Sequence, residues 1–281
     1  MKLVRWGLDG REKPGILDQN GAIRDLSSVI PDISHSVLSD SGLDALRRLN
    51  LAPLPVVPAE TRLGVPFAGT GKIIAIGLNY ADHAEEAGLK PPAEPIVFQK
   101  ATSSLCGPTD SLEIPRGSLK TDWEIELGVV IGRRAKYIAE AEALDYVAGY
   151  CTTNDVSERH LQTERGGQWT KGKSHDTFCP VGPWLVTRDE VPDPQGLSLW
   201  CDVDGHRYQN GTTARMIFGV AHIIAYLSQM MTLLPGDLIV TGTPPGVGMG
   251  IKPEPVFLKP GQIVTCEVVG LGAQRHLTVS A

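Results

Sequence analysis

Two glutamates, Glu124 and Glu126, stand one residue apart in the apolar segment TDWEIELGVV. Side chains of a β-strand alternate between its two faces, so both carboxylates leave the same face. Trp123, Ile125 and Leu127 leave the other. Because burying an uncompensated charge is costly, the pair needs a cation nearby. A divalent ion such as Mg²⁺, Mn²⁺ or Ca²⁺ suits carboxylate oxygens. An Arg or Lys partner would serve as well, and a strand with one solvated polar face is the ordinary alternative.

Asp155 is the candidate for a third carboxylate ligand. It follows a predicted strand in the segment CTTNDVSERH, at the start of a polar turn. Taken alone, this aspartate is better explained as a helix N-cap, a position that favours Asp. Together with Glu124 and Glu126, it would complete a set of three carboxylates that leaves other coordination positions for water and substrate.

His83 and Glu86 are candidates for an acid–base pair. They lie three residues apart in GLNYADHAEEAG, and in a helical turn this spacing puts them on one face. The imidazole could then take a proton from water while the carboxylate orients it and stabilises the imidazolium. Taken alone, the pair is more simply explained as two polar residues on a solvated helix face.

Lys173 lies in the segment GGQWTKGKSHDTFCPVGPW, which the sequence predicts to be a loop facing a substrate. Its ammonium could donate to a developing oxyanion. As a lone lysine, it would more often be an ordinary surface charge. His160 and His175 lie nearby without an assigned role.

Short strands and turns dominate the predicted elements. The chain holds 31 glycines and 21 prolines, residues that punctuate turns. Predicted strands include IIAIG, PIVFQK and WEIELGVVIG, and a hairpin is predicted to turn at Asp204-Gly205. The spacing of apolar residues predicts one long helix over 213–233. Because strands and helices do not alternate regularly, we expect a mostly β (α+β) fold and not a doubly wound sheet.

A segment punctuated by proline and glycine divides the chain into two predicted domains. It reads LAPLPVVPAETRLGVPFAGTG and precedes the buried strand IIAIG. We therefore expect a small β-rich N-terminal domain with its linker over residues 1–68. The second domain is expected over residues 69–281.

Composition narrows the class of protein. The formal net charge is −6, and no Lys/Arg cluster is present that would neutralise phosphates, so we expect no nucleic-acid partner. No apolar run approaches the roughly 18 residues of a membrane span, and no signal peptide is recognisable, so a cytoplasmic location is expected. Five scattered cysteines without a CxxC pair indicate reduced thiols, packed mostly as small apolar side chains.

Taken in order, the motifs resemble the fumarylacetoacetate hydrolase superfamily over roughly residues 72–275. They are IGLNYADHAEE, PIVFQK, TDWEIELGVVIG, DYVAGYCTTNDVSER, QWTKGKSHDTFCPVGPW, DPQGLSLWCDVDGHRYQNG and GDLIVTGTPPGVG. The N-terminal stretch and the ERGGQWTKGK loop are similar to one branch in particular. It comprises the 2,4-diketo-3-deoxy-L-fuconate and L-rhamnonate hydrolases, whose members are often labelled ureidoglycolate lyases.

The resemblance implies a role for each candidate residue. Metal ligands for Mg²⁺ or Mn²⁺ fall on Glu124, Glu126 and Asp155, the His-x-x-Glu dyad on His83 and Glu86, and the catalytic lysine on Lys173. Positions that face the substrate fall on Arg159, Gln162 and Thr243. The resemblance also implies a mixed β-sheet roll and a homodimer.

The activity expected on this basis is hydrolysis of the C3–C4 bond of a 2,4-dioxo acid, a 2-oxo acid substrate. The products would be pyruvate and a short hydroxy acid. Oxaloacetate decarboxylation, dienedioate isomerisation and ureidoglycolate cleavage are alternatives that could use a similar site. A β-domain that holds a metal only for structure is the non-enzymatic alternative.

Overall fold

Strands account for most of the regular structure, as the sequence predicts. The computed structural model describes residues 1–86, 88 and 90–281. In chain order the strands are β1 (Lys2–Trp6), β2 (Lys13–Leu17), β3 (Ile23–Asp25), β4 (Ile73–Gly77), β5 (Ile96–Lys100), β6 (Leu105–Cys106), β7 (Leu112–Ile114), β8 (Thr121–Asp122), β9 (Ile125–Ile131), β10 (Val147–Asn154), β11 (Ser157–Glu158), β12 (Cys179–Pro180), β13 (Leu185–Thr187), β14 (Ser198–Val203), β15 (His206–Thr212), β16 (Leu238–Val240), β17 (Ile263–Val268) and β18 (Gly272–Ser280).

The helices of the described residues are short. The α-helices are α1 (His35–Leu38), α2 (Asp40–Arg47), α3 (Ala81–Glu86), α4 (Thr170–Lys173) and α5 (Val220–Met230). Short 3₁₀ or π segments occupy Thr102–Ser104, Glu140–Tyr146, His160–Glu164, Arg188–Glu190, Thr213–Arg215 and Gly248–Gly250. Among these residues, no helix combines the length and apolar character needed to cross a membrane.

The long predicted helix is shorter than its pattern indicates. It was expected over 213–233, whereas α5 begins at Val220. The residues before it pair with Asn79 instead of continuing the helix: the Phe218 N–H donates to Asn79 Oδ1 at 2.9 Å, and Asn79 Nδ2 donates to the Phe218 carbonyl at 3.0 Å. The Ile217 N–H also donates to the Asn79 carbonyl, at 2.8 Å. Tertiary hydrogen bonds therefore override the local periodicity.

A nine-stranded sheet forms the centre of the molecule. Its strand order is β3-β2-β1-β13-β10-β9-β16-β4-β5. Strand β9 is antiparallel to both of its neighbours, β10 and β16, whereas β16 and β4 run parallel. The sheet is therefore mixed, as expected, and strand β9, which follows Glu124, is buried at every residue.

A five-stranded sheet, in the order β15-β14-β17-β18-β7, packs beside the first. The hairpin β14–β15 turns at Asp204-Gly205 as predicted. Both residues have left-handed φ angles, 51° and 78°, which is typical of the type I′ turn that matches the twist of paired strands.

The large sheet is buried on both faces by two apolar clusters. One face of β9 contributes Ile125 and Leu127, together with Trp123 just before the strand, to a core shared with α5 and the five-stranded sheet. The opposite face contributes Val130 to a second core, which includes Leu38 from α1. Since Glu124 and Glu126 alternate with the first set, their carboxylates lie on the side of the second core.

The N-terminal strands continue the central sheet. Strand β1 pairs with β13 antiparallel, with Leu3 opposite Leu185. Strands β2 and β3 then extend the sheet from β1, with a tight turn over the DQNG segment between them. The division of the chain into domains over 1–68 and 69–281 remains a prediction, and the sheet itself is continuous across it.

Candidate active site and metal centre

The three acids expected to bind metal meet beside the start of β9. In the pairing of β9 with β10, Glu126 lies opposite Thr153. Two residues further, the Asp155 N–H donates to the Glu124 carbonyl at 2.8 Å, so these residues are also opposite each other. Because paired residues point to the same face, the register brings all three carboxylates together. Asp155 lies between β10 and β11, so its alternative explanation as a helix N-cap is wrong.

The spacing of these acids fits one metal ion. One oxygen from each of Glu124, Glu126 and Asp155 lies within 4.8 Å of the others. The three residues are 7%, 1% and 1% exposed. Oxygens that bind one Mg²⁺ or Ca²⁺ at about 2.0–2.6 Å lie at most about 4–5 Å apart. A buried set of hard oxygen donors at this spacing is suited to a divalent cation of that class.

Glu124 lies between two cations. Arg159 Nη1 is 2.6 Å from its Oε1, and Lys173 Nζ is 2.8 Å from its Oε2. Burial raises the pKa of Glu124, but the charges of Lys173 and Arg159 outweigh burial and lower that pKa to about 2. Glu124 is therefore ionised at neutral pH, and both of its oxygens are fixed in direction. The protein side chains that could substitute for a metal are thus present at this acid.

Asp155 is held by two lysines. Lys173 Nζ lies 2.6 Å from its Oδ2, and Lys100 Nζ lies 2.5 Å from its Oδ1. Lys173 was expected in an open loop, but it ends α4 and is 1% exposed. Burial lowers the pKa of Lys173, and the charges of Asp155 and Glu124 outweigh this effect and raise it. Its explanation as a surface charge is therefore wrong.

Glu126 differs from the other two acids. Its Oε2 accepts a hydrogen bond of 2.7 Å from the Gly242 N–H, and it forms no ion pair with the residues that the structure describes. Burial, followed by the charges of Asp155 and Glu124, raises the pKa of Glu126 well above its usual range. This carboxylate is therefore the one that most needs a further cation.

His83 and Glu86 form the expected pair on α3. His83 Nδ1 lies 3.0 Å from Glu86 Oε2, and the Gly246 N–H donates to Glu86 Oε1 at 3.0 Å. The contact fits the imidazole tautomer in which Nδ1–H donates to the Glu86 carboxylate and the lone pair lies on Nε2. Both side chains are largely buried, at 12% and 23% exposed, so the explanation as a fully solvated helix face does not hold.

The three expected substrate-facing residues lie close to the acids. Arg159 binds Asp122 and Glu124 and donates from Nη1 to Gln162 Oε1 at 2.9 Å. Its buried Nη2 has no hydrogen-bond partner among the residues that the structure describes. Thr243 donates to the Ile125 carbonyl at 2.8 Å, so it also fixes the start of β9.

A cavity of about 50 Å³ lies between the acids and the dyad. It is lined by Ile76, Gly77, Leu78, His83, Phe98, Glu124, Glu126, Asp155, Gln162, Trp169, Gly242 and Thr243. The Trp169 ring covers Gly77 so closely that a Cβ there would lie 2.2 Å from it, and it packs against Phe98 with ring centroids 5.2 Å apart. The cavity therefore has one acidic wall, one basic nitrogen and one apolar wall.

Sequence reasoning missed two residues of this site, Lys100 and Asp122, whereas Trp169 belongs to the segment that was predicted to face a substrate. Lys100 ends an apolar strand and Asp122 precedes the glutamate pair, so each was a polar residue beside a buried run. A charged residue in such a position needs an ionic or hydrogen-bonding partner, but the position does not show which residue that partner is. Only the tertiary fold shows that their partners belong to the site.

Comparison with known proteins identifies the family. The sequence model described as the C-terminal domain of fumarylacetoacetate (FAA) hydrolase matches residues 72–279. The chain belongs to the fumarylacetoacetate hydrolase family. The resemblance of the motifs is thereby confirmed at the level of the superfamily, and the matched segment contains all the acids, the dyad and Lys173.

Three relatives of this fumarylacetoacetate hydrolase family member illustrate the similarity. A Burkholderia multivorans protein, named as a hydrolase by provisional assignment, is 65% identical over the whole of both chains. The structure of 2-hydroxyhepta-2,4-diene-1,7-dioate isomerase from Mycobacterium marinum is 34% identical, with TM-score 0.78, covering 100% of this chain and 98% of that one. Maleylpyruvate hydrolase from Sphingobium sp. SYK-6, in complex with manganese(II) and pyruvate, is 30% identical over all of both chains, with TM-score 0.83.

Proposed function

We propose that this chain is a hydrolase, dependent on a divalent metal, that cleaves the C3–C4 bond of a 2,4-dioxo acid and releases pyruvate. The observation that carries the proposal is the arrangement of the cavity. Three acids suited to one metal ion face it together with a histidine whose second nitrogen is free to accept a proton. A structural metal site would not need the dyad.

Charge balance supports a divalent ion at Glu124, Glu126 and Asp155. In the ion-pair network of this site, three acids other than Glu126 are matched by three buried cations: Asp122, Glu124 and Asp155 against Arg159, Lys100 and Lys173. A divalent ion would add two positive charges. One would balance the charge of Glu126, and the other would balance that of a substrate carboxylate. Mg²⁺ or Mn²⁺ bound there supplies Lewis-acid polarisation of the substrate's oxygen atoms.

His83 is the proposed general base. Its Nε2 takes a proton from the water that attacks the C4 carbonyl, while Glu86 stabilises the resulting imidazolium. When the C3–C4 bond breaks, C4 becomes a carboxylic acid and C3 takes up a proton, which the imidazolium at His83 can return. The hydroxyl of the water thus ends in the carboxylic acid formed at C4, and its proton ends on C3 of pyruvate. His83 returns to its starting protonation state.

Arg159, Gln162 and Lys173 are proposed to bind and orient the substrate. The free Nη2 of Arg159 is a buried donor suited to a carboxylate. The Lys173 ammonium lies beside Glu124 and Asp155, where it can stabilise negative charge that develops on an oxygen near the metal ligands.

The cavity is small, and Leu78, Phe98 and Trp169 close one side of it, which favours a short group beyond C4. A diketo-deoxy sugar acid of the L-fuconate or L-rhamnonate type has such a group, and its second product is a short hydroxy acid. The motifs similar to that branch support this finer assignment.

Isomerisation of a dienedioate is the second candidate, because an isomerase of that kind is 34% identical to this chain along its full length. It would use the same acids and move a proton without adding water. The products separate the two candidates, since only hydrolysis releases pyruvate.

The test is pyruvate release from a panel of substrates by the purified chain. The panel holds 2,4-dioxo acids with short and long C4 substituents, a diketo-deoxy sugar acid, oxaloacetate, a dienedioate and ureidoglycolate. We expect pyruvate from the dioxo acids with Mg²⁺ or Mn²⁺, none after chelation, and recovery when metal is restored. Absence of metal-dependent turnover of any dioxo acid would overturn the proposal.

A further inference from the structure

Lys100 is a fully buried lysine whose charge serves one acid. It is the last residue of β5, and its side chain is 0% exposed. Lysine is almost never buried to this degree without a partner. Its Nζ lies 2.5 Å from Asp155 Oδ1 and 3.3 Å from the Val156 carbonyl oxygen. The ammonium therefore holds one particular oxygen of Asp155.

The other oxygen of Asp155 lies on the metal side. Asp155 Oδ2 and Glu124 Oε2 both contact the Lys173 ammonium, at 2.6 Å and 2.8 Å. Oδ2 is therefore the oxygen directed towards Glu124, while Lys100 holds Oδ1 apart from it. Lys173 also contacts Oδ2, but it lies on the same side as Glu124, so Oδ2 is the Asp155 oxygen that can share an ion with Glu124, whereas Oδ1 is turned to Lys100.

We propose that Lys100 is a positioning residue that makes Asp155 a one-oxygen ligand and thereby selects a small ion over Ca²⁺. The inference rests on the proposed function, in which Glu124, Glu126 and Asp155 bind a metal. Mg²⁺ requires near-octahedral geometry at about 2.0–2.1 Å, whereas Ca²⁺ takes 6–8 oxygens at about 2.3–2.6 Å and accepts two-oxygen carboxylate binding. Holding Oδ1 away from the ion favours the smaller coordination shell.

The effect of geometry can be separated from the effect of charge. Removing the Lys100 ammonium also removes a positive charge, which by itself strengthens the binding of any cation. Mg²⁺ and Ca²⁺ carry the same charge, so this electrostatic gain nearly cancels in the ratio of their affinities. The ratio therefore reports how Asp155 is held.

The experiment measures that ratio in wild type and in Lys100→Met. Bound Mn²⁺ is followed by its electron paramagnetic resonance signal, and Mg²⁺ and Ca²⁺ are titrated in as competitors. We expect the preference for Mg²⁺ over Ca²⁺ to fall by about 10-fold or more, the scale on which partners of metal ligands act. An unchanged ratio overturns the proposal, whatever happens to the absolute affinities.

Lys72→Met is the matched control. Lys72 Nζ lies 2.6 Å from Oδ2 of the buried Asp237, which is not among the three acids. This variant also loses a lysine–aspartate pair, and its Mg²⁺/Ca²⁺ ratio should equal that of wild type. A similar change in both variants would show a general loss of structure and overturn the assignment to Lys100.

A second measurement needs no variant, in case Lys100→Met fails to fold. In a crystal structure of the wild-type protein with Mn²⁺, Asp155 should bind through one oxygen while Lys100 remains on the other. Two-oxygen binding by Asp155 overturns the proposal but leaves the proposed function intact. Wild type that binds no divalent ion overturns both.

Discussion

At the scale of single residues, the base and the metal ligands are held by separate partners. Glu86 contacts the His83 ring, whereas Glu126 accepts a hydrogen bond from the N–H of Gly242, which lies in the connection after β16. A substitution at one position should therefore leave the other function in place. This separation allows the two halves of the proposed site to be tested independently.

The variant His83→Ala should lose turnover and keep the metal. We expect kcat for the best dioxo acid to fall by about 10²–10⁴-fold, the usual contribution of a positioned general base. Mn²⁺ affinity, measured by electron paramagnetic resonance, should equal that of wild type. Glu126→Gln is the opposite control, because it should lose Mn²⁺ binding. Undiminished turnover in His83→Ala would reject the role of base.

The buried His276 makes the stability of the fold depend on pH. The residue is 0% exposed, its Nδ1 lies 2.7 Å from the Asp110 carbonyl oxygen, and burial lowers its pKa from 6.5 to about 4. Between these values the unfolded chain binds more protons than the folded one, so stability rises with pH. The contribution is complete above pH 6.5 and is lost as pH falls towards 4.

We expect the free energy of unfolding to lose about 3 kcal/mol through His276 between pH 7 and pH 4, from the usual conversion of pKa shifts. Urea unfolding of wild type and His276→Gln at several pH values measures this difference. The variant should show a flatter dependence over this range. Equal slopes for the two proteins would contradict the prediction.

At the scale of elements, one loop connects the dyad to strand β8, which lies just before Glu124. The glycine loop, residues 244–250, donates from the Gly246 N–H to Glu86 and from the Gly248 and Met249 N–H groups to Asp122 at 2.6 and 2.9 Å. Asp122 in turn binds Arg159 at 2.8 Å. The backbone N–H groups of this loop thus fix the positions of helix α3 and strand β8 relative to each other.

Asp122→Asn should destabilise the chain strongly. It removes one of the two ionic partners of the buried Arg159 and leaves Glu124, and breaking a buried pair costs about 3–5 kcal/mol. Asp202→Asn removes a similar pair with Arg207 on the surface, where the cost is about 0–1 kcal/mol. Urea unfolding compares the two variants. A loss for Asp122→Asn no larger than that for Asp202→Asn would show that the loop is not held in this way.

Much of this arrangement could be predicted from local sequence. The alternation of Glu124 and Glu126 depends only on strand geometry, and the spacing of His83 and Glu86 depends only on the helical turn. The mostly β fold follows from the turn residues. Each of these predictions uses residues within a few positions of one another.

The remainder depends on contacts between distant segments. Lys100 and Asp155 are 55 residues apart, and Lys173 and Glu124 are 49 apart, so no local pattern could join them. The predicted start of α5 was wrong for the same reason, since the residues before the helix form hydrogen bonds with Asn79, which is 139 residues away in the sequence. Sequence reasoning named Lys173 and Asp155 as candidates and the family resemblance gave them roles, but the pairing of each with its partner required the fold.

At the scale of the whole molecule, we predict a homodimer. The family resemblance implies this assembly, and large apolar side chains such as Leu119 and Tyr137 are 83% and 69% exposed on the single chain. Light scattering after size-exclusion chromatography should give twice the 30.2 kDa mass of one chain. A mass of one chain at micromolar concentration would contradict the prediction.

Because β1 pairs with β13, the central sheet cannot be completed until β13 has been synthesised. Leu3 leaves the ribosome long before Leu185, its partner across the sheet. At about 5–20 residues per second, translation of the intervening chain takes about 10–40 s. Throughout that interval, the hairpins β1–β2–β3 expose an open edge of hydrogen-bonding groups. A nascent chain of this protein therefore has a defined period in which its N-terminal strand edge is open to pairing with other chains.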